Sequence, residues 1–327
     1  MKKILISMLA VAALVSCSKE ESIRIDQGEL ISFGNAFVDN STRAAAATDP
    51  SYSAATLQYF DVYGAVGGVN IYDGDKVTRG SAALGEAWSL ASDAPKQYWI
   101  AGANYKFVGI VDGNKSGVTA TTVENGMPTS ISYTADGKTD LLCQTITYTA
   151  KPAGQTNGLV AFNFNHLLSK VNFTVNNDSQ SATGYSFVVK NIKFNGATAA
   201  TYNVETAAWG AATTGDTIIG NERTVDSTPV KDIVVASGAE KTELATEVLF
   251  LPGTYTISFT VDILYDGKLV TTTNYPATEG AYQHTLAANN AYNFNVGVSV
   301  GEKIQFTVTQ KPTWTDGDGV NDTTLTL

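Results

Sequence analysis

The chain has 327 residues, a length that suits two domains of ordinary size or one large β-sandwich. Hydrophobic residues make up 43% of it, enough for a sizeable core, whereas charged residues make up only 16%. The formal net charge is −10, and a field of that sign repels phosphate backbones and anionic headgroups. Nucleic-acid binding is therefore excluded as an expected function, and the composition favours an exposed extracellular β protein over a helical enzyme.

The N-terminus has the pattern of an export signal. Lys2 and Lys3 precede an apolar run over residues 4–15, which is shorter than the roughly 20 apolar residues of a membrane-spanning helix. The run ends in Leu14-Val15-Ser16-Cys17, which resembles the lipobox read by the lipoprotein signal peptidase. We therefore expect residues 1–17 to be a lipoprotein signal peptide, with acyl chains on Cys17 anchoring the protein to the outer membrane.

A short strand is predicted soon after the signal. Residues 18–27 are polar and charged and indicate a tether. Ile31, Phe33 and Phe37 then occupy odd positions of the segment 29–38, a period of two that predicts a strand with one buried face. The next segment, residues 39–50, lacks that alternation and is predicted to be an exposed loop.

Strand patterns fill the rest of the first half. Aromatic and β-branched runs closed by Gly and Asp turns predict strands at residues 60–64, 69–72, 97–100, 105–111 and 131–133. Short helices are considered at 82–90 and 165–169. Residues 151–158 combine Pro, Gly, Gln and Asn, a composition that predicts a connector between domains.

The second half alternates more regularly. Apolar residues at every second position predict strands within 160–164, 171–175, 185–189, 255–265, 292–296 and 304–308. Asp266-Gly267 follows the longest of these and predicts a tight hairpin turn. Many short strands with turn residues between them indicate an all-β protein built from β-sandwiches.

Catalytic motifs are absent from the sequence. The only histidines, His166 and His284, lie beside apolar residues and are interpreted as structural. There is no nucleophile elbow, phosphate-binding loop, dinucleotide fingerprint or zinc motif. We therefore predict that the protein is not an enzyme and requires no cofactor, and that Cys143, in an apolar run, is a buried small hydrophobe.

Two other groups of residues have alternative interpretations. Asp316, Asp318 and Asp322 form an acidic cluster that could bind calcium, but a plain Asp-Gly turn is favoured because the bidentate Glu of an EF-hand is missing. The four tryptophans could stack on sugars, but core packing is favoured. They are Trp88, Trp99, Trp209 and Trp314.

Several loose motifs occur in one order along most of the chain. They are the lipobox at Cys17, Ile31-x-Phe33, Thr42-Arg43-Ala44, Phe60-x-Val62-Tyr63-Gly64, Tyr98-Trp99, Tyr105-x-Phe107, Phe162-x-Phe164-x-His166-x-Leu168-x-Lys170-Val171, Tyr292-x-Phe294-x-Val296, Ile304-x-Phe306-x-Val308 and Trp314-Thr315-Asp316-Gly317. In this order the chain resembles the fimbrillin family, the FimA-type and Mfa-like subunits of type V pili.

The resemblance implies two transthyretin-like β-sandwich domains in tandem, at residues 44–157 and 158–309. Residues 18–43 would be a tether and removable N-terminal strand, which completes the first domain in the precursor. An arginine-specific surface protease would cut the Arg43–Ala44 bond. The segment 310–327 would be a C-terminal extension.

Polymerisation would follow by strand exchange with other subunits of the same or another kind. The donor strand would come from one of two segments, marked by Ile304, Phe306 and Val308 or by Leu325 and Leu327. The expected role is a subunit of a cell-surface fimbria that supports adhesion. The alternatives are a tip or accessory adhesin, and a non-polymerising surface lipoprotein that binds a host glycan or protein receptor.

Overall fold

The computed structural model describes residues 28–38, 57–82, 86–111, 117–177, 184–225, 228–236, 242–277, 282–300, 305–311 and 322–325. These residues form strands, turns and loops without a helix, so the fold is all-β as the sequence predicts. None of the described segments is a helix long and apolar enough to cross a membrane.

The strands of the first half are β1 Ser32–Val38, β2 Tyr59–Val66, β3 Val69–Thr78, β4 Ala87–Leu90, β5 Asn104–Val111, β6 Val118–Glu124, β7 Met127–Thr134, β8 Leu142–Thr149 and β9 Leu159–His166. The strands of the second half are β10 Ser169–Asn177, β11 Tyr185–Asn203, β12 Ala208–Trp209, β13 Thr213–Ile219, β14 Asn221–Val225, β15 Thr228–Val235, β16 Thr242–Phe250, β17 Gly253–Tyr265, β18 Lys268–Tyr275, β19 Gln283–Leu286, β20 Ala291–Val298, β21 Gln305–Lys311 and β22 Asp322–Leu325.

Seven strands of the first half close into a ring. Their order is β1-β4-β3-β2-β5-β8-β9, and β9 pairs with β1 to complete the circle. Closure removes the free strand edges that would otherwise expose unpaired backbone groups. Most pairs in the ring are antiparallel, whereas β1 and β9 are parallel.

The second half forms two sheets. One has the order β16-β10-β20-β21-β22, and the other has the order β14-β15-β11-β17-β18, with β7, β12, β13 and β19 pairing along its long strands. The predicted hairpin is confirmed at the β17–β18 turn, where Asp266 and Gly267 have φ angles of 45° and 75°. Two successive positive φ angles are what a two-residue hairpin turn of type I′ requires.

Two buried clusters form the core. The first cluster consists of Ile31, Phe33, Ala36, Leu57, Phe60, Val62, Tyr72, Val77, Trp88, Trp99, Tyr105, Phe107, Val111, Leu142, Ala150, Val160, Phe162 and Phe164. The second cluster contains the buried apolar residues of β10–β21, together with residues from β5, β7 and β8 such as Val108, Ile131 and Cys143.

Between β9 and β10 the buried residues change from the first cluster to the second, at Phe164 and Leu167. β9, which follows the expected domain boundary at residue 157, pairs with β1 and β8 and buries Val160, Phe162 and Phe164 in the first cluster. Residues 151–158 connect β8 to β9 within the ring.

The two considered helices are wrong. In the first segment, residues 87–90 form β4, where Trp88 is buried and pairs with Phe33 of β1. In the second, β9 ends at His166 and β10 begins at Ser169. Buried Trp88 lies between exposed residues in β4, whereas residues 166–169 are all buried.

Candidate functional site

The strand predicted to be removable is a core strand of the ring. β1 lies between β4, with which it is antiparallel, and β9, with which it is parallel. Its ladder is extended towards the N-terminus by an antiparallel bridge between Leu30 and Tyr98. The strand that was predicted to be removable is thus hydrogen-bonded on both edges.

Side chains of β1, and that of Ile31 just before it, belong to the first cluster. Ile31 and Phe33 are 2% and 1% exposed, so the predicted burial of both is confirmed. The Phe33 ring makes edge contacts with the rings of Tyr72, Phe107 and Phe60, at centroid separations of 5.4, 5.8 and 6.3 Å. Without β1, these aromatic faces would line an open groove.

Glycine at position 34 allows β1 to approach its neighbours. A Cβ atom there would lie 2.6 Å from the carbonyl oxygen of Glu86 and 2.8 Å from Cδ1 of Leu159. Contacts this short are outside the normal range, so a larger residue requires the flanking strands to move. The close approach makes the groove selective for a small residue at this point.

The N-terminal end of β1 is held by one carboxylate. Glu29 accepts hydrogen bonds from the backbone N–H and the side-chain amide of Asn157, and from the backbone N–H of Gly158 at 3.0 Å. The Asn157 backbone bond is the main cause that lowers the pKa of the Glu29 carboxyl, with Lys151 contributing as a nearby positive charge. This contact joins residues 128 positions apart in the sequence.

The first candidate donor segment is built into the second cluster. β21 lies between β20 and β22, and Phe306 and Val308 are 1% and 3% exposed. The Phe306 ring packs against those of Tyr282 and Tyr275, at 5.0 and 5.2 Å. Removing β21 would therefore open the second cluster of its own subunit.

The second candidate donor segment lies at a sheet edge. β22 is the terminal strand of its sheet and pairs antiparallel with β21, with Leu325 opposite Phe306. Within the described residues β21 is its pairing partner. Release of β22 would therefore break one ladder and leave β21 paired with β20.

The remaining predicted site residues lie wholly or partly outside the described part of the chain. Those outside it are Cys17, Arg43, Ala44, Ile304, Asp316, Asp318 and Leu327. For Phe37, Asp322 and Leu325 the structure describes the backbone only. Among the described residues, no group of three or more acidic, histidine or cysteine side chains could hold a metal ion.

A buried pair that sequence reasoning missed lies where the two clusters meet. Nδ1 of His166 is 2.7 Å from Oδ2 of Asp140, and the two side chains are 1% and 0% exposed. An acidic residue followed by the apolar Leu141 and Leu142 was the available signal for a buried carboxylate. Solvent does not reach the pair, which supports the structural interpretation of His166.

Other expectations about single residues are confirmed. Cys143 is buried, and burial raises the pKa of its thiol to about 12. Trp88 and Trp99 are each 7% exposed and belong to the first cluster, so neither forms an exposed platform for sugars. The indole N–H of Trp209 donates to the carbonyl oxygen of Leu167.

Comparison with known proteins agrees with this architecture. A fimbrial protein from Bacteroides vulgatus has a TM-score of 0.55 at 14% identity, covering 88% of this chain and 100% of its own. A candidate cell adhesion protein from Bacteroides uniformis has a TM-score of 0.52 at 19% identity, covering 89% and 100%. A search of curated proteins finds no match.

A family model described as fimbrillin-like matches residues 42–312, well over half of the sequence. The matched region begins just before the Arg43–Ala44 bond and ends just after β21. The chain therefore belongs to the fimbrillin-like family.

Proposed function

We propose that this protein is a structural subunit of a cell-surface fimbria, exported as a lipoprotein and assembled by protease-triggered strand exchange. The observation that carries the proposal is the position of β1, which is paired on both edges and, together with the preceding Ile31, packs Phe33 into the first cluster. Family membership supports assembly with other fimbrial subunits, and the fimbria would serve adhesion.

The sequence position of Arg43 explains how cleavage would act. Arg43 lies between the end of β1 at Val38 and the start of β2 at Tyr59. A cut after Arg43 removes the covalent link between β1 and the remainder of the ring. β1 is then held only by its ladders and apolar contacts, which another strand of similar pattern can replace.

β22 and the residues after it are the better donor. Phe306 and Val308 of β21 are needed in the second cluster, whereas β22 lies at an edge. Leu325 and Leu327 are two residues apart in sequence, as Ile31 and Phe33 are, so they would project to the same face of a strand. Strand addition of this kind gives affinity through the backbone and selectivity through alternate side chains.

N-terminal sequencing of protein recovered from the cell surface tests the cleavage step. We expect Ala44 as the first residue of the wild-type protein, and an uncut chain beginning at the lipidated Cys17 for Arg43→Ala. The matched control is Arg24→Ala, which removes an upstream arginine and should mature normally. Normal maturation and assembly of Arg43→Ala would contradict the proposal.

Truncation tests the donor. A chain ending at Lys311 keeps β21 in its sheet and loses β22 and the residues after it. We expect this chain to fold and to be cleaved. An unboiled sample run on an SDS gel should show no ladder of oligomers. A persistent ladder would show that the donor lies elsewhere.

A further inference from the structure

Three hydrogen-bond donors of the loop over residues 151–158 point to one carboxylate. They are the two backbone N–H groups of Asn157 and Gly158 and the side-chain amide of Asn157, all bonded to Glu29. We propose that this loop is a carboxylate receptor that sets the register of whichever strand fills the groove. For an incoming strand the inference rests on the proposed function; for β1 itself it does not.

Hydrogen bonds that do not involve Glu29 hold the donors of the receptor in place. Oδ1 of Asn157 accepts from the backbone N–H of Lys151 at 2.7 Å, and the Asn157 carbonyl accepts from the Tyr148 hydroxyl at 2.8 Å. The Lys151 ammonium donates to the carbonyl oxygen of Thr156. Because these contacts do not involve Glu29, the donors stay aimed at the same point when the carboxylate leaves, as in other backbone anion sites.

The receptor reinforces the register that the buried side chains of this segment favour. A slip of one residue would turn Ile31 and Phe33 out of the first cluster, so packing already excludes it. A slip of two residues brings Gln27 or Ile31 to the receptor in place of Glu29, and it carries Glu29 into the place of Ile31 or Asn35 into the place of Phe33. Neither Gln27 nor Ile31 supplies a carboxylate, so the receptor and the first cluster both disfavour these registers.

The same rule selects among incoming strands. The preferred strand carries Asp or Glu two positions before its first buried apolar residue, as Glu29 precedes Ile31. If Leu325 takes the place of Ile31, this chain offers Thr323 at that position. We therefore expect the receptor to bind an acidic strand from another subunit with higher affinity than the C-terminal segment of this chain.

Hydrogen exchange in the intact chain tests the receptor without cleavage or assembly. We expect the amides of β1 to exchange roughly tenfold faster in Glu29→Gln, because charge-assisted bonds to the carboxylate are lost. Glu205→Gln, an exposed position between β11 and β12, is the control and should leave β1 unchanged. Equal exchange of β1 in the wild type and Glu29→Gln would overturn the proposal.

Peptide competition tests the incoming strand. Protein cut at Arg43 is challenged with two peptides spanning residues 28–38, one with Glu29 and one with Gln at that position. We expect the Glu peptide to displace β1 with roughly tenfold higher affinity. Equal affinities would refute selection by the receptor. If neither peptide displaces β1 while Glu29→Gln still accelerates exchange, strand exchange fails and the register role of Glu29 stands.

Discussion

Replacement of Phe33 by alanine tests whether β1 is an energetic part of the first cluster. The Phe33 side chain is 1% exposed and contacts three aromatic rings. Truncation of a buried phenylalanine to alanine costs about 3–5 kcal/mol, from lost burial and from the cavity left behind. We expect a loss of that size because the ring is enclosed by strands held on both sides, which limits collapse of the cavity.

Urea unfolding followed by tryptophan fluorescence measures this loss, since Trp88 and Trp99 lie in the same cluster. Leu30→Ala is the matched control: Leu30 lies in the same segment but is 43% exposed, so its replacement should change stability by less than about 0.5 kcal/mol. Equal, small effects of Phe33→Ala and Leu30→Ala would refute the reasoning, because the Phe33 side chain would then contribute no more to stability than an exposed one.

Three other predictions use features of the described residues. Gly34→Val should destabilise the protein by about 1–3 kcal/mol in the same urea assay, because its Cβ would lie 2.6 Å from the Glu86 carbonyl oxygen; unchanged stability would contradict the close approach. Asp140→Ala should cost about 1–3 kcal/mol through the lost bond to His166, and a loss below 0.5 kcal/mol would show that the pair is dispensable. Cys143, whose thiol pKa burial raises to about 12, should resist iodoacetamide at pH 8 until urea unfolds the chain, and rapid native labelling would contradict its burial.

The presence of strands was predictable because the alternation of apolar and polar residues is a property of neighbouring positions in the sequence. The period of two in 29–38 correctly predicted the burial of Ile31 and Phe33, and the period in 160–164 correctly predicted that of Phe162 and Phe164. The Asp266-Gly267 turn was predictable for the same reason, since two adjacent residues determine it.

Strand partnership was not predictable from local pattern. The pairing of β1 with β9 joins Ser32 to Leu159, and nothing in either segment specifies that partner. A polar loop has the same composition whether it links domains or neighbouring strands, so the composition of residues 151–158 does not distinguish the two. The contact of Glu29 with Asn157 was missed because it depends on the β1–β9 pairing. The burial of Asp140 was missed because its partner, His166, is distant in sequence.

The β6–β7 hairpin has a mechanical consequence for the subunit. The hairpin leaves the ring after β5, and β7 pairs along five residues with β11 of the second half, from Ala199 opposite Thr134 to Asn203 opposite Ser130. The polypeptide therefore passes between the two clusters by way of the hairpin as well as at 164–167. Separation of the two halves would therefore require the β7–β11 ladder to break, in addition to straining the chain where it crosses between the clusters.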